Sequence, residues 1–199
     1  MARYMIVIGI LGDIGSGKSF ISKLFKCPVF NADLEVYKIY RKNRACYKKI
    51  KKKLPKFIKS FPINKVELSK AILSNKSNLK KIVSVVHPVV RKKMKIFLRK
   101  NIKKKLVVLD VPLLIENNLN NKKFILIFVD SKKKQINLRL KRRKNYNSKI
   151  YENFRKFQIK LSHKKKISNY IIKNDFKLPT IKKRVKLLKN KILYERNSS

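Results

Sequence analysis

Residues 12–19 read G-D-I-G-S-G-K-S and fit the pattern G-x-x-x-x-G-K-[ST]. Glycines in such a loop let the backbone turn so that several N–H groups point at one anion. The side chain of Lys18 can neutralise β- and γ-phosphate oxygens, and the Ser19 hydroxyl can ligate Mg²⁺. The pattern therefore predicts an ATP site. Its residues are Gly12, Asp13, Ile14, Gly15, Ser16, Gly17, Lys18, Ser19 and Phe20.

The chain on both sides of this loop fits a strand followed by a helix. Residues 5–11 are apolar and rich in β-branched side chains, which is typical of a strand that is buried on both faces. From Lys18 onward, apolar residues recur at helical spacing. This context favours a phosphate-binding loop over an ordinary glycine turn before a helix.

A second candidate for metal binding is Asp110. Four apolar residues precede it, so residues 106–110 are predicted to form another buried strand. Enzymes with this phosphate loop usually hold Mg²⁺ through an acid at the end of a neighbouring strand. Ser19 and Asp110 are therefore the predicted metal ligands. The alternative is that Asp110 only ends the strand.

The remaining elements alternate between strands and helices. Further strands are predicted at 28–30, 124–129 and 170–172. Helices are predicted at 34–41, 46–58, 65–73, 78–85, 89–99, 131–143 with Ser131 as N-cap, 148–161 and 180–194. Such alternation predicts one α/β domain over residues 1–199, with a mainly parallel, five-stranded sheet flanked by helices.

The chain is strongly basic, with 55 Lys and Arg residues against 10 acidic ones and a formal net charge of +45. Such a charge often indicates nucleic-acid binding. However, the lysines are spread over almost the whole chain together with many Ile and Asn residues, which is what a coding bias towards A and T would produce. We therefore expect at most weak, nonspecific and salt-sensitive binding of nucleic acid.

Cysteine content and hydropathy indicate a cytoplasmic protein with no membrane partner. Cys27 and Cys46 form neither a metal-binding spacing nor a disulfide framework, so a reducing compartment is expected. No apolar run approaches the roughly 18 residues of a membrane span, and the first one is too short for a signal peptide.

Several blocks, in order, resemble the dephospho-coenzyme A kinase family. They are residues 9–19, 31–33, 87–91, 110–116, 129–130 leading into Gln135, Arg139 and Arg143, then Gln158 and 170–174. The resemblance runs from about residue 5 to about residue 175 and is more specific than the phosphate loop alone. Asp13 departs from the family pattern, which usually has glycine there, and Phe20 replaces a small hydroxyl residue.

This resemblance implies a P-loop kinase fold with a helical acceptor-binding insertion at about 34–100 and a lid at about 135–165. The implied reaction transfers phosphate from ATP to the ribose 3′-hydroxyl of dephospho-coenzyme A, with Mg²⁺ as cofactor. Asp33 would orient that hydroxyl, although its position alone also fits a helix cap. Lys18 and Arg143 are the other predicted catalytic residues, and Arg143 would also contact ATP.

The resemblance also implies an acceptor-binding set. It consists of Asp33, His87, Arg91, Pro112, Leu113, Leu114 and Glu116. Taken alone, His87 before Pro88 fits a histidine in a turn. Arg139 and Arg143 are four residues apart and are predicted to share one helical face, which is either a lid surface facing phosphate or an ordinary solvated face.

Two other functions remain open from the sequence. The phosphate loop is shared by many small-molecule and nucleotide kinases, so a different acceptor is the nearest alternative. A basic nucleic-acid-binding protein with a vestigial phosphate loop is the alternative from another class.

Overall fold

The computed structural model describes residues 5–116, 119, 123–143 and 146–197. Within them, five strands form one sheet in the order β2-β3-β1-β4-β5. The strands are β1 (Ile6–Gly12), β2 (Val29–Asn31), β3 (Leu106–Asp110), β4 (Ile125–Ser131) and β5 (Tyr170–Asn174). Every neighbouring pair is parallel, so the predicted α/β fold with a mainly parallel sheet is confirmed.

Helices lie between β1 and β2, between β2 and β3 and between β4 and β5, and one more follows β5. They are α1 (Lys18–Leu24), α2 (Ala32–Lys42), α3 (Arg44–Lys53), α4 (Lys65–Ser74), α5 (Lys76–Lys100), α6 (Lys133–Lys141), α7 (Ser148–Lys156), α8 (Leu161–Lys166) and α9 (Leu178–Asn197). None of the described helices is long and apolar enough to cross a membrane.

The central strand β1 is buried along its whole length. On one face of the sheet, its isoleucines pack with apolar residues of α1 and α9, including Ile21, Ile181 and Val185. On the other face, the Leu114 side chain lies so close to Gly9 that a Cβ there would be 2.5 Å from Leu114 Cδ2. Both faces are thus covered, as a parallel sheet requires.

Helix α5 corrects one prediction. The sequence indicated two helices separated at Pro88, with His87 in a turn, but the structure has one helix of 25 residues that contains both. Proline removes one helical hydrogen bond and crowds the preceding turn. The buried face of α5 nevertheless continues on both sides of Pro88, from Leu79 and Ile82 to Val90 and Met94, so tertiary packing outweighs the local penalty.

Two further predictions of helix bounds are wrong. The helix expected at 148–161 ends at Lys156 as α7, and α8 begins only at Leu161. Between the two helices, the N–H of Ile159 donates to the Glu116 carboxylate instead of to a helical carbonyl. Ser131 does not cap α6, since Lys132 occupies the N-cap position and Ser131 ends β4. Residues 144 and 145 of the predicted lid lie outside the described residues.

The contacts divide the chain into two compact units. One consists of residues 1–31, 101–146 and 158–199, and it contains the sheet and the phosphate loop. The other, here called the helical unit, consists of residues 32–100 and 147–157 and contains α2 to α5 and α7.

Candidate active site

The phosphate loop, residues 12–19, joins the end of β1 to the start of α1. Gly15 and Gly17 have φ values of 85° and 92°, in a region that side chains of L-residues rarely adopt. A Cβ at Gly15 would lie 3.0 Å from the Leu140 side chain, and one at Gly17 would lie 2.5 Å from Nδ2 of Asn174. Backbone conformation and close neighbours therefore both require glycine at these two positions.

Lys18 curls back over the loop that precedes it. Its Nζ donates hydrogen bonds to the carbonyl oxygens of Gly12 at 3.1 Å and Asp13 at 2.7 Å. The residue is buried, and a buried charge acts more strongly on a nearby anion than a solvated one does. The loop also contains the negative charge of the Asp13 carboxylate, which accepts the N–H of Ile14 at 2.7 Å.

Asp110, at the end of β3, is only 2% exposed. Its Oδ2 accepts Nδ2 of Asn31 at 2.6 Å, and its carboxylate is also hydrogen-bonded to the Ser19 hydroxyl. Burial raises the pKa of Asp110, although the hydrogen bond from Ser19 and the charge of Lys18 oppose that rise. The structure therefore brings both predicted metal ligands together, and their oxygen atoms are of the type that Mg²⁺ prefers.

The carbonyl oxygen of Ser16 is held by side chains from two other strands. Ser131, at the end of β4, donates its hydroxyl to this oxygen at 2.9 Å, and Asn174, at the end of β5, donates Nδ2 at 2.7 Å. Asn174 is buried, and its Oδ1 accepts the N–H of Phe176 at 2.9 Å. The loop is thus tied to the ends of β4 and β5 as well as to its own strand.

The segment after β3 contains four of the predicted acceptor-binding residues. Leu114 is fully buried, whereas Pro112 and Leu113 are half-buried. The carboxylate of Glu116 lies 2.6 Å from Nζ of Lys164, and both side chains are withdrawn from solvent, at 9% and 0% exposure.

Oε1 of Glu116 also accepts the N–H of Ile159 at 3.0 Å. Its other oxygen, Oε2, is buried and has no hydrogen-bond partner among the described residues. The structure therefore places Glu116 in a buried ion pair that ties the segment after β3 to α8.

The two arginines of the predicted lid do not share a helical face. Arg139 lies on α6, and its guanidinium is 4.5 Å from the ring centroid of Phe176. Helix α6 ends at Lys141, and the N–H of Arg143 donates to the carbonyl of Leu140 at 3.0 Å. The expectation of one face was wrong because the helix stops before Arg143, which is exposed.

The helical unit contains the other predicted acceptor-binding residues. Asp33 is exposed in the first turn of α2. His87 and Arg91 are one turn apart on α5, where His87 is half-buried and Arg91 is exposed. Residues four apart on a helix lie on the same face, so these two side chains are neighbours.

A sequence model of the dephospho-CoA kinase family matches residues 6–180. The chain belongs to this family. Two proteins named dephospho-CoA kinase illustrate the similarity. That of Wolbachia sp. subsp. Brugia malayi (strain TRS) is 34% identical over 172 residues, which cover 84% of this chain and 88% of the relative. That of Ehrlichia canis (strain Jake) is 29% identical over 175 residues, covering 85% and 87%.

Solved structures share the fold of this dephospho-CoA kinase family member. TT1252 from Thermus thermophilus superposes with a TM-score of 0.74 at 25% identity, covering 94% of this chain and 97% of that one. The dephospho-CoA kinase from Campylobacter jejuni has a TM-score of 0.63 at 19% identity over 94% and 96%. A shikimate kinase from Acinetobacter baumannii, with a TM-score of 0.56 at 14% identity over 97% and 96%, shares the fold alone.

Sequence reasoning missed three residues at this site of the dephospho-CoA kinase family member. Ser131 was interpreted as a helix cap, Asn174 only as the last residue of the block 170–174 that resembles the family, and Lys164 as one of many lysines. Position at the end of a predicted parallel strand is the signal that could have identified Ser131 and Asn174. Nothing in the local sequence separates Lys164 from its neighbours Lys165 and Lys166.

Proposed function

We propose that the chain transfers the γ-phosphoryl group of ATP to the 3′-hydroxyl of dephospho-coenzyme A, with ADP and coenzyme A as products. One observation carries this proposal. A chain that matches the dephospho-CoA kinase family over residues 6–180 also places Ser19 and the buried Asp110 carboxylate together beside its phosphate loop.

The phosphate loop is proposed to bind the triphosphate. Its backbone N–H groups would surround the β-phosphate, and the Lys18 ammonium would exchange its carbonyl partners for β- and γ-phosphate oxygens. Phosphoryl transfer depends mainly on placement and charge neutralisation, so these contacts would supply most of the catalysis from this side of the reaction.

Ser19 and Asp110 are proposed to hold Mg²⁺ together with the nucleotide phosphates. Their hydroxyl and carboxylate oxygens fit a hard cation, and Asn31 fixes the orientation of the Asp110 carboxylate. When bound, Mg²⁺ neutralises negative charge on the phosphate oxygens.

Acceptor recognition is proposed to rest on the following residues. Asp33 would accept a hydrogen bond from the 3′-hydroxyl and align it for in-line attack. His87 and Arg91 would bind acceptor phosphate. Pro112, Leu113 and Leu114 would line the acceptor site, and Arg143 would neutralise charge on the transferring group.

A coupled assay of ADP release tests the reaction. The purified protein with Mg²⁺–ATP is offered dephospho-coenzyme A, adenosine, AMP or shikimate, and mass spectrometry identifies the phosphorylated product. We expect only dephospho-coenzyme A to stimulate ADP release well above the basal rate, with one phosphate added at the 3′ position. Equal or greater stimulation by another acceptor would assign a different kinase activity.

The net charge of +45 supports nucleic-acid binding as a second candidate function. We propose that such binding is weak, nonspecific and reversed by salt, and that the protein works as a kinase in the cytoplasm. Filter binding of a labelled RNA at low and physiological salt tests this. Tight binding at physiological salt that is unchanged in Lys18→Ala, together with no kinase activity, would favour a vestigial phosphate loop.

A further inference from the structure

The peptide unit between Ser16 and Gly17 is held more firmly than its position in a loop suggests. The Ser16 carbonyl oxygen accepts two side-chain hydrogen bonds, from Ser131 at 2.9 Å and Asn174 at 2.7 Å. These donors lie 115 and 158 residues away in the sequence. Two strand ends therefore converge on one carbonyl of the phosphate loop.

Planarity of the peptide bond gives this contact a consequence for ligand binding. The C=O of Ser16 and the N–H of Gly17 belong to the same trans peptide and point in opposite directions. When two donors fix the carbonyl oxygen, they also fix the direction of the Gly17 N–H. Hydrogen bonds to the carbonyl polarise the peptide as well, which makes its N–H a stronger donor.

Asn174 is itself oriented by a second bond. Its Oδ1 accepts the N–H of Phe176 at 2.9 Å, so the amide group can present Nδ2 to Ser16 without rotating. Gly17 leaves room for this contact, because a Cβ there would lie 2.5 Å from Nδ2 of Asn174. Gly17 is therefore needed both for its own φ of 92° and for the approach of the side chain that orients its amide.

We propose that Asn174 and Ser131 are positioning residues for nucleotide binding, which hold the Ser16–Gly17 peptide so that the Gly17 N–H faces the phosphate before the nucleotide arrives. The proposal rests on the proposed function only in that the loop binds nucleotide phosphate. It assigns neither residue a direct contact with the ligand. Loss of either donor leaves the peptide held by one hydrogen bond instead of two, and binding must then restrict the added rotation of the peptide.

The first test measures binding of Mg²⁺–ADP by calorimetry, which requires no acceptor. Asn174→Asp keeps an oxygen for the Phe176 N–H but cannot donate to Ser16, and Ser131→Ala removes the other donor. We expect affinity about 10-fold lower for Asn174→Asp and about 3-fold lower for Ser131→Ala, the scale of one hydrogen bond each. Ser131→Thr retains a hydroxyl and should restore binding.

Matched controls separate positioning from charge and from general destabilisation. Asn190→Asp introduces the same charge at an exposed site on α9, and Ser84→Ala removes an exposed hydroxyl on α5. Both should bind ADP as the unaltered chain does. In turnover assays, the Asn174 and Ser131 variants should show a raised KM for ATP and an unchanged KM for dephospho-coenzyme A.

A second test observes the peptide directly. The chain has four glycines, and only Gly17 follows a serine. Labelling serine carbonyls with ¹³C and glycine with ¹⁵N therefore selects one amide in a carbonyl-correlated NMR experiment. The Ser16 ¹³C′ resonance should move upfield in Ser131→Ala and Asn174→Asp, because the carbonyl has lost a hydrogen bond in each variant.

The outcomes distinguish this proposal from the kinase assignment. If the unaltered chain binds ADP but the variants bind it equally well, the positioning role is wrong, whether or not the Ser16 resonance has moved. Failure of the unaltered chain to bind ADP would overturn the positioning role and the kinase assignment together. ADP binding without phosphorylation of dephospho-coenzyme A would overturn only the acceptor.

Discussion

The phosphate loop and the helical unit hold their functional side chains in different ways. In the loop, Lys18 is buried and bonded to two carbonyls, and the Ser16 carbonyl is fixed by side chains from β4 and β5. In the helical unit, Asp33 and Arg91 lie exposed on helices. Several buried contacts thus hold the phosphate loop, whereas Asp33 and Arg91, proposed for the acceptor side, are more accessible to solvent.

This difference predicts different tolerance to substitution in the two regions. A buried loop with many internal bonds tolerates few substitutions, because each change leaves a polar group without its partner. Exposed residues on a helix can change with little effect on folding. The fold is shared with a shikimate kinase at 14% identity, and one fold can host sites for different substrates.

The largest expected effect follows from Lys18→Ala. Loss of the buried ammonium should lower kcat/KM for ATP by at least about 10³-fold, because the charge on the transferring phosphoryl group loses its main protein partner. Steady-state ADP formation with dephospho-coenzyme A measures it. Lys186→Ala, at an exposed site on α9, is the control and should retain activity. Retention of a tenth or more of the activity by Lys18→Ala would show that the loop does not act through this charge.

Lys164→Met tests whether buried polar contacts outside the phosphate loop also stabilise the unit that contains the sheet. The change leaves the Glu116 carboxylate buried and unpaired, and it should lower the free energy of unfolding by about 3–5 kcal/mol. Urea unfolding measures the loss, and Lys166→Met on the same helix is the exposed control. The double variant Glu116→Leu/Lys164→Met should recover most of the stability. A double variant as unstable as the single one would mean that packing, not charge, is responsible.

Asp33→Asn tests the acceptor side of the comparison. We expect kcat to fall about 10²-fold while the affinity for Mg²⁺–ATP stays the same, because the lost carboxylate aligns only the acceptor hydroxyl. Single-turnover kinetics and calorimetry measure the two quantities. Glu152→Gln, which neutralises an exposed acid on α7 of the same unit, should leave both unchanged. An equal loss of ATP affinity in Asp33→Asn would argue against separate phosphate and acceptor functions.

Asp13→Asn should have a smaller effect and a favourable one. Asparagine retains an oxygen for the Ile14 N–H but removes a negative charge from the loop, so affinity for ADP should rise about threefold at low salt. The gain should shrink as salt is added, because this residue is only half-buried and the charge is screened. A gain that is independent of salt would indicate a change in loop conformation instead.

Glu35→Gln should have the smallest effect, because the two lysines that pair with Glu35 in the helical unit, Lys38 and Lys93, are largely exposed to solvent. Partial burial favours the protonated form of Glu35, but the hydrogen bonds and charges of Lys38 and Lys93 prevail and lower its pKa. The carboxylate therefore adds stability above the pKa of the unfolded chain and loses it as the pH falls through the lower folded pKa. Urea unfolding should show a difference below about 1 kcal/mol near pH 7 that disappears as the pH falls through the lowered pKa of Glu35. A larger difference at acid pH would contradict this sign.

The parts of the molecule that sequence could predict are those that local patterns determine. The glycines within residues 12–19 indicate the turns of the phosphate loop. The apolar run before the loop and the helical spacing after it predict β1 and α1. Pro88 shows the limit of such patterns. Local preference predicted a break there, but the apolar face of α5 is buried on both sides of the proline and keeps the helix continuous.

Residues that act across the sheet could not be identified in this way. Ser131 and Asn174 meet Ser16 only because β4 and β5 follow β1 in the order of strands, and that order is a property of the whole fold. Lys164 differs from the other lysines of α8 by its burial and by its ion pair with Glu116. In a chain with so many lysines, composition conceals a lysine whose charge is withdrawn from solvent.

The pairing of Glu116 with Lys164 also constrains how related sequences can diverge. Loss of either charge alone leaves the other charge buried without its partner. Single substitutions at these positions should therefore be eliminated by selection. Only a change of both residues together, or replacement of Lys164 by another cationic residue, leaves a stable protein. Among descendants of this chain, the two positions should therefore vary together, even though 48 residues separate them in the sequence.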